Sequence, residues 1–99
     1  MKLSFSIRNW NDRDWSGLCD AAIDARLQGL EIYDITGALF QGKSSPTNPE
    51  LAAATRRRLS NRGLSIPCID TVKDFTDPAF DQEFAECLRS AVNLGIDYI

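Results

Sequence analysis

Apolar and polar positions in this chain switch between two periods. Leu3, Phe5 and Ile7 alternate with Ser4 and Ser6, the two-residue period of a strand with one packed face and one face of small polar groups. From Trp15 the apolar residues fall at Trp15, Leu18, Cys19, Ala22 and Ile23, which is the spacing of an amphipathic helix. Asp12 or Asp14 is placed to cap its start, and Gly29 to end it. Residues 30–35, Leu-Glu-Ile-Tyr-Asp-Ile, then read as a second strand, followed by a polar Gly/Ser/Pro loop over 37–48.

The alternation continues. Asn48, Pro49 and Glu50 supply an N-cap, a proline at the first helical position and an acid in the first turn, and Leu51, Thr55 and Leu59 mark the buried face of a second helix up to Gly63. Residues 64–70 read as a third strand, in which Pro67 lacks an N–H and predicts a broken or bent ladder. Asp77-Pro78 opens a third helix whose apolar stripe is Phe80, Phe84, Cys87, Leu88, Ala91 and Leu94. Gly95 closes it, and residues 96–99 start a fourth strand.

The segments GLEI, GLSI and GIDYI begin at Gly29, Gly63 and Gly95, so one strand–helix grammar recurs about every 32 to 34 residues. Such alternation predicts an α/β fold of parallel strands joined by right-handed helical crossovers. We read residues 1–99 as the N-terminal portion of a single domain that breaks off in its fourth strand. That portion is expected to be part of a (β/α)8 TIM barrel, a fold of about 250 residues.

Composition narrows the function. With 99 residues the chain holds one domain, and 43% hydrophobic and 25% charged residues are ordinary for a globular protein. The net charge of −3 provides no field to gather nucleic acid or an anionic membrane. No apolar run approaches the roughly 18 to 20 residues of a membrane span, and no secretory core forms before Asn11, Asp12 and Arg13, so a cytoplasmic location is expected. Cys19, Cys68 and Cys87 are three widely spaced cysteines without a CxxC, and read as reduced, mostly buried thiols. The absence of histidine removes Ser-His-Asp and Cys-His catalysis and every histidine metal ligand from this chain.

The opening KLSFSIRNW, the helix end LQGLEIYD, the strand GLSIPCIDT and the closing AVNLGIDYI together resemble the N-terminal half of the xylose-isomerase-like barrels, the sugar phosphate isomerases and epimerases. That resemblance implies a site at the carboxyl ends of the strands. It also implies a divalent ion (Mn, Mg, Co or Zn) held by Glu, Asp, His and Glu from later strands, and proton abstraction beside a carbonyl through an enediolate. No metal ligand is expected among these 99 residues, the catalytic residues are expected beyond Ile99, and the fragment alone is expected to be inactive. Dehydratases and metal-dependent endonucleases are further relatives that the resemblance allows.

In a barrel the strand ends line the pocket, which singles out Arg8, Asn9 and Trp10, Tyr33 and Asp34, and Asp70 and Thr71. Arg8 offers a planar fork of donors to a phosphate or carboxylate, or pairs with Glu31. Trp10 forms an apolar wall for a sugar ring, or simply packs. Glu31 stands between Leu30 and Ile32, so its carboxylate points away from the helices, toward partners among Ser4, Ser6 and Arg8 or toward substrate. Asp34 and Asp70 are either acid/base groups or turn and cap residues. The substrate-binding set is thus Arg8, Trp10, Glu31, Tyr33 and Asp70, and the expected partner is a small sugar or sugar phosphate.

Two further patterns stand out. Arg56, Arg57 and Arg58 point about 100° apart on a helix and read as a solvated face. Residues 37–44 match the phosphate-loop pattern GxxxxGK[ST], but Pro46 and Pro49 stand where the phosphate-cradling helix must begin. A self-contained nucleotide-binding or receiver-like α/β domain is therefore the alternative, with Asp70 as its acid. Open strand edges also predict that the isolated chain associates with itself, so a homo-oligomer is expected.

Overall fold

The computed structural model describes residues 2–10 and 13–99. Three strands, β1 (Ser4–Ser6), β2 (Gly29–Tyr33) and β3 (Ile69–Asp70), alternate with three helices, α1 (Trp15–Asp24), α2 (Ala52–Asn61) and α3 (Phe80–Leu94). All pairs are parallel and the order is β1-β2-β3, with Phe5 opposite Leu30 and Tyr33 opposite Asp70. Beyond β3 the chain returns to its outer side, where Cys68 and Tyr98 form a parallel bridge and the Ile69 N–H donates to the Tyr98 carbonyl. The fourth strand expected over 96–99 does not form: among the described residues this segment makes one isolated bridge, and the sheet has three strands.

The sheet is packed on one face only. Leu30, Ile32 and Ile69 are fully buried in a single core with Leu18, Cys19 and Ala22 of α1, Ala52 and Leu59 of α2, and Cys87, Ala91 and Leu94 of α3. The alternate residues Glu31, Tyr33, Cys68 and Asp70 stay half-exposed on the other face. Shifting β2 by one residue would uncover two aliphatic side chains worth roughly 1.5–3 kcal/mol each and bury a carboxylate, so the hydrophobic pattern fixes which face is which.

Helix starts follow local chemistry. Asp14 caps α1 by accepting the Gly17 N–H at 2.8 Å, while Asp12 lies outside the described residues. Asn48 accepts the Glu50 N–H at 3.0 Å at the head of a 3-10 turn, Pro49–Leu51, that runs into α2. Leu51 itself is exposed, and the buried face of α2 is Ala52, Thr55 and Leu59. The third strand breaks at Pro67 as expected: Gly29 bridges Ser65, and regular pairing resumes only at Ile69.

Two further expectations are corrected. Gly29 does not end α1. The helix stops at Asp24, and Arg26 takes the left-handed conformation with φ 59° so that the Leu27 N–H reaches the Ala22 carbonyl. The same five-residue return closes α2, from Leu64 to Leu59 around Gly63, and α3, from Ile96 to Ala91 around Gly95. Gly29 serves the sheet instead: a Cβ there would lie 2.9 Å from the Ser65 carbonyl oxygen, against which β2 packs.

The apolar stripe of α3 is also rotated from its expected position. Glu83, Cys87, Ser90, Ala91 and Leu94 face the core, while Phe84, Leu88 and Val92 are exposed. Glu83 sets this rotation, because its Oε1 accepts the Val72 and Lys73 N–H groups of the loop after β3. Among the described residues no helix is long and apolar enough to cross a membrane.

Candidate functional site

The carboxyl ends of the three strands open onto two clefts that share Tyr33. One, of about 460 Å³, is lined by Ser6, Arg8, Tyr33, Asp70 and Thr71. The other, of about 680 Å³, lies among Asn9, Trp10, Arg13, Tyr33, Asp34 and Gly37. Of the residues singled out from sequence, the fold brings Arg8, Tyr33 and Asp70 around one opening. Trp10 stands on the far side of Tyr33, and Glu31 lies two residues further back along β2.

Arg8, Glu31 and Trp10 each have a definite anchorage. The Arg8 guanidinium sits 5.3 Å from the centre of the Tyr33 ring, a cation–π arrangement, and makes no ion pair with Glu31. The reason is register: Glu31 lies opposite Ser6, two residues behind Arg8, whereas Tyr33 lies further toward the strand end that Arg8 occupies. Glu31 accepts the Ser4 hydroxyl at 3.3 Å, and the Ser6 hydroxyl turns instead to the Arg8 N–H at 3.2 Å. Trp10 packs against Phe5 with ring centres 5.1 Å apart and has the Arg13 guanidinium 5.2 Å above it, so its indole is both wall and support.

Both strand ends carry strain. Asn9, three residues past β1 and next to Arg8, and Asp34, directly after β2, are in the left-handed region with φ 69° and 56°. Both line the larger cleft. Asn and Asp tolerate this conformation better than most residues, yet it still costs of order 1 kcal/mol, and such strain concentrates where a chain must turn sharply to present side chains. Asp34 is occupied as a turn residue: it accepts the Thr36 hydroxyl at 2.8 Å, and its carbonyl accepts the Gly37 N–H.

The loop with the phosphate-loop pattern has a different construction. The amides of Gly37, Phe40, Gln41 and Ser45 donate to carbonyls of Asp34, Gly37, Ala38 and Gly42, and the α-helix begins only at Ala52. No helix N-terminus follows Lys43, so the row of free amides that cradles a phosphate is missing there. The arginines of α2 are exposed, as expected for a solvated face.

One grouping was not visible in the sequence. Glu31 on β2 and Cys68 and Asp70, two apart on the third strand segment, bring their donor atoms within 4.8 Å of one another. Alternation put all three on one face; only the pairing of Ile32 with Ile69 placed Cys68 beside Glu31. Burial, then the Glu31 and Asp70 carboxylates, push the Cys68 thiol above its ordinary pKa. All three cysteines are free thiols, and Cys19 and Cys87 are buried. The chain has no histidine, and this grouping contains a sulfur, so these residues do not compose the Glu-Asp-His-Glu set that the resemblance implies. No protein-family model, curated protein or solved structure matches this chain.

Proposed function

We propose that this chain is the N-terminal half of a metal-dependent sugar or sugar-phosphate isomerase or epimerase on a (β/α)8 barrel, acting through an enediolate. The observation that carries this reading is the sequential order of parallel strands, continued by residues 96–99 beyond β3, with every helix packed on one face. A doubly wound nucleotide-binding sheet sends its fourth strand to the other side of the first, and a receiver-like sheet places its first strand between the second and third. Neither order agrees with β1-β2-β3 and then 96–99. A sheet wound in one direction leaves its second face for the interior of a barrel, and that face here is polar.

In this reading the residues of this half bind and orient. Arg8, held on the Tyr33 ring, directs its remaining donors to a phosphate or carboxylate; Tyr33 and Asp70 meet hydroxyls; Trp10 walls the ring. Glu31 lies deeper and supports the strand face. The proton transfer belongs to carboxylates outside this chain, in an enzyme of cytoplasmic location. The free edges of β1 and of residues 96–99 favour self-association of the isolated chain, which sedimentation at rising concentration measures.

The test is isotope exchange. The protein from the complete reading frame, incubated in D2O with divalent ions and a panel of ketoses, aldoses, inososes and their phosphates, should place deuterium on the carbon beside a carbonyl. Absence of exchange across the panel, with the protein folded by circular dichroism, overturns the reading.

A further inference from the structure

We propose that Glu31, Cys68 and Asp70 form a site for a thiophilic divalent cation, Zn2+ in particular, separate from the ion that the isomerase reading requires. Three observations carry it. The donor set mixes a thiol with two carboxylates, all within 4.8 Å. Ligands of a tetrahedral zinc, at about 2.3 Å for sulfur and 2.0 Å for oxygen, stand about 3.3–3.5 Å apart, so modest side-chain rotation closes the site. Cys68 and Asp70 flank the strand residue Ile69, which pairs with the neighbour of Glu31, so the ladder sets the spacing of all three donors.

The third observation is charge. Two carboxylates sit beside a half-buried thiol, and among the described residues neither forms an ion pair. Arg8, at the end of the neighbouring strand segment, is turned onto Tyr33. A divalent cation would neutralise both carboxylates and hold the deprotonated sulfur. Mg2+ would be served by oxygens alone, whereas the sulfur selects Zn2+ or its relatives. Three protein ligands would leave a fourth position, and Asp70 lines the smaller cleft together with Arg8 and Tyr33.

The test uses the 99-residue chain and does not depend on the barrel reading. Co2+, as a spectroscopic substitute, should give a near-ultraviolet thiolate-to-metal band that one equivalent of Zn2+ abolishes and Mg2+ does not. Cys68→Ser should remove the band, Glu31→Gln and Asp70→Asn should each weaken binding at least tenfold, and Cys19→Ala should leave the band intact. Zn2+ should also slow alkylation of Cys68 in the unmodified chain, read by peptide mapping, which requires no variant to fold. No band at saturating Co2+, a band that survives Cys68→Ser, equal binding of Mg2+ and Zn2+, or unchanged alkylation of Cys68 overturns the site.

Discussion

Glu83, on the first turn of α3 and only 2% exposed, accepts the backbone N–H of Val72 at 2.8 Å. The same oxygen takes the Lys73 N–H at 3.2 Å, and the Lys73 ammonium lies 3.6 Å from the other oxygen, too far for a hydrogen bond. A carboxylate from inside the helix layer thus ties down the loop that leaves β3 directly after Asp70 and Thr71. Glu83→Ala would strand two amide donors and open a cavity, and should cost about 3 kcal/mol in urea denaturation. Glu83→Gln keeps an acceptor at the same place and should cost about 1 kcal/mol.

Arg26 carries a conformation that glycine carries at the other two helix ends. Replacing it should relieve left-handed strain, offset in part by a more flexible unfolded chain. Arg26→Gly is expected to stabilise by about 0.5–1 kcal/mol, a rise in Tm of roughly 2–8 °C for a domain of this size. A fall in Tm would mean that the arginine side chain contributes more than its backbone costs.

Burial, followed by the nearby Glu83 and Glu86 charges, pushes the Cys87 thiol up to about 11 from its ordinary 9.0. The unfolded chain therefore releases this proton first. Stability from the neutral thiol is whole below pH 9 and is lost as pH rises through 11, by about 2–3 kcal/mol at most. Cys87→Ala should flatten the stability profile between those pH values, measured as the difference between the two proteins so that tyrosine and lysine titration cancels.

Leu88 and Val92, with Phe84, form an apolar flank on α3 that the described residues leave partly uncovered, and Val92 is 79% exposed. Leu88→Lys with Val92→Lys should leave monomer stability within about 0.5 kcal/mol, because exposed positions contribute little packing. Sedimentation velocity should show less association than the parent chain at equal concentration. Unchanged association would place the self-contact at the sheet edges instead.

The legible parts of the fold were those whose cause is local. Asn48, Pro49 and Glu50 announced a helix start because a cap, a fixed φ and an acidic first turn act within four residues. Pro67 announced a break because it has no N–H to pair. Alternation announced that Glu31 and Tyr33 face away from Leu30 and Ile32, because burying the aliphatic pair outweighs any alternative for β2. The misread parts had remote causes. The glycine rule failed at α1 because close approach to Ser65 claims Gly29, leaving Arg26 to make the turn. The stripe of α3 was misassigned because a loop eleven residues upstream holds Glu83 inward.

Local chemistry and periodicity in the amino-acid sequence thus determined the alternation of strands and helices, the polar face of the sheet and most of the residues on it. Tertiary structure alone decided which of those residues meet: Arg8 with Tyr33 rather than Glu31, and Cys68 with Glu31 and Asp70. Periodicity assigns a side chain to a face, but distance across that face depends on strand order and register, which are fixed only when separate segments pack against one another.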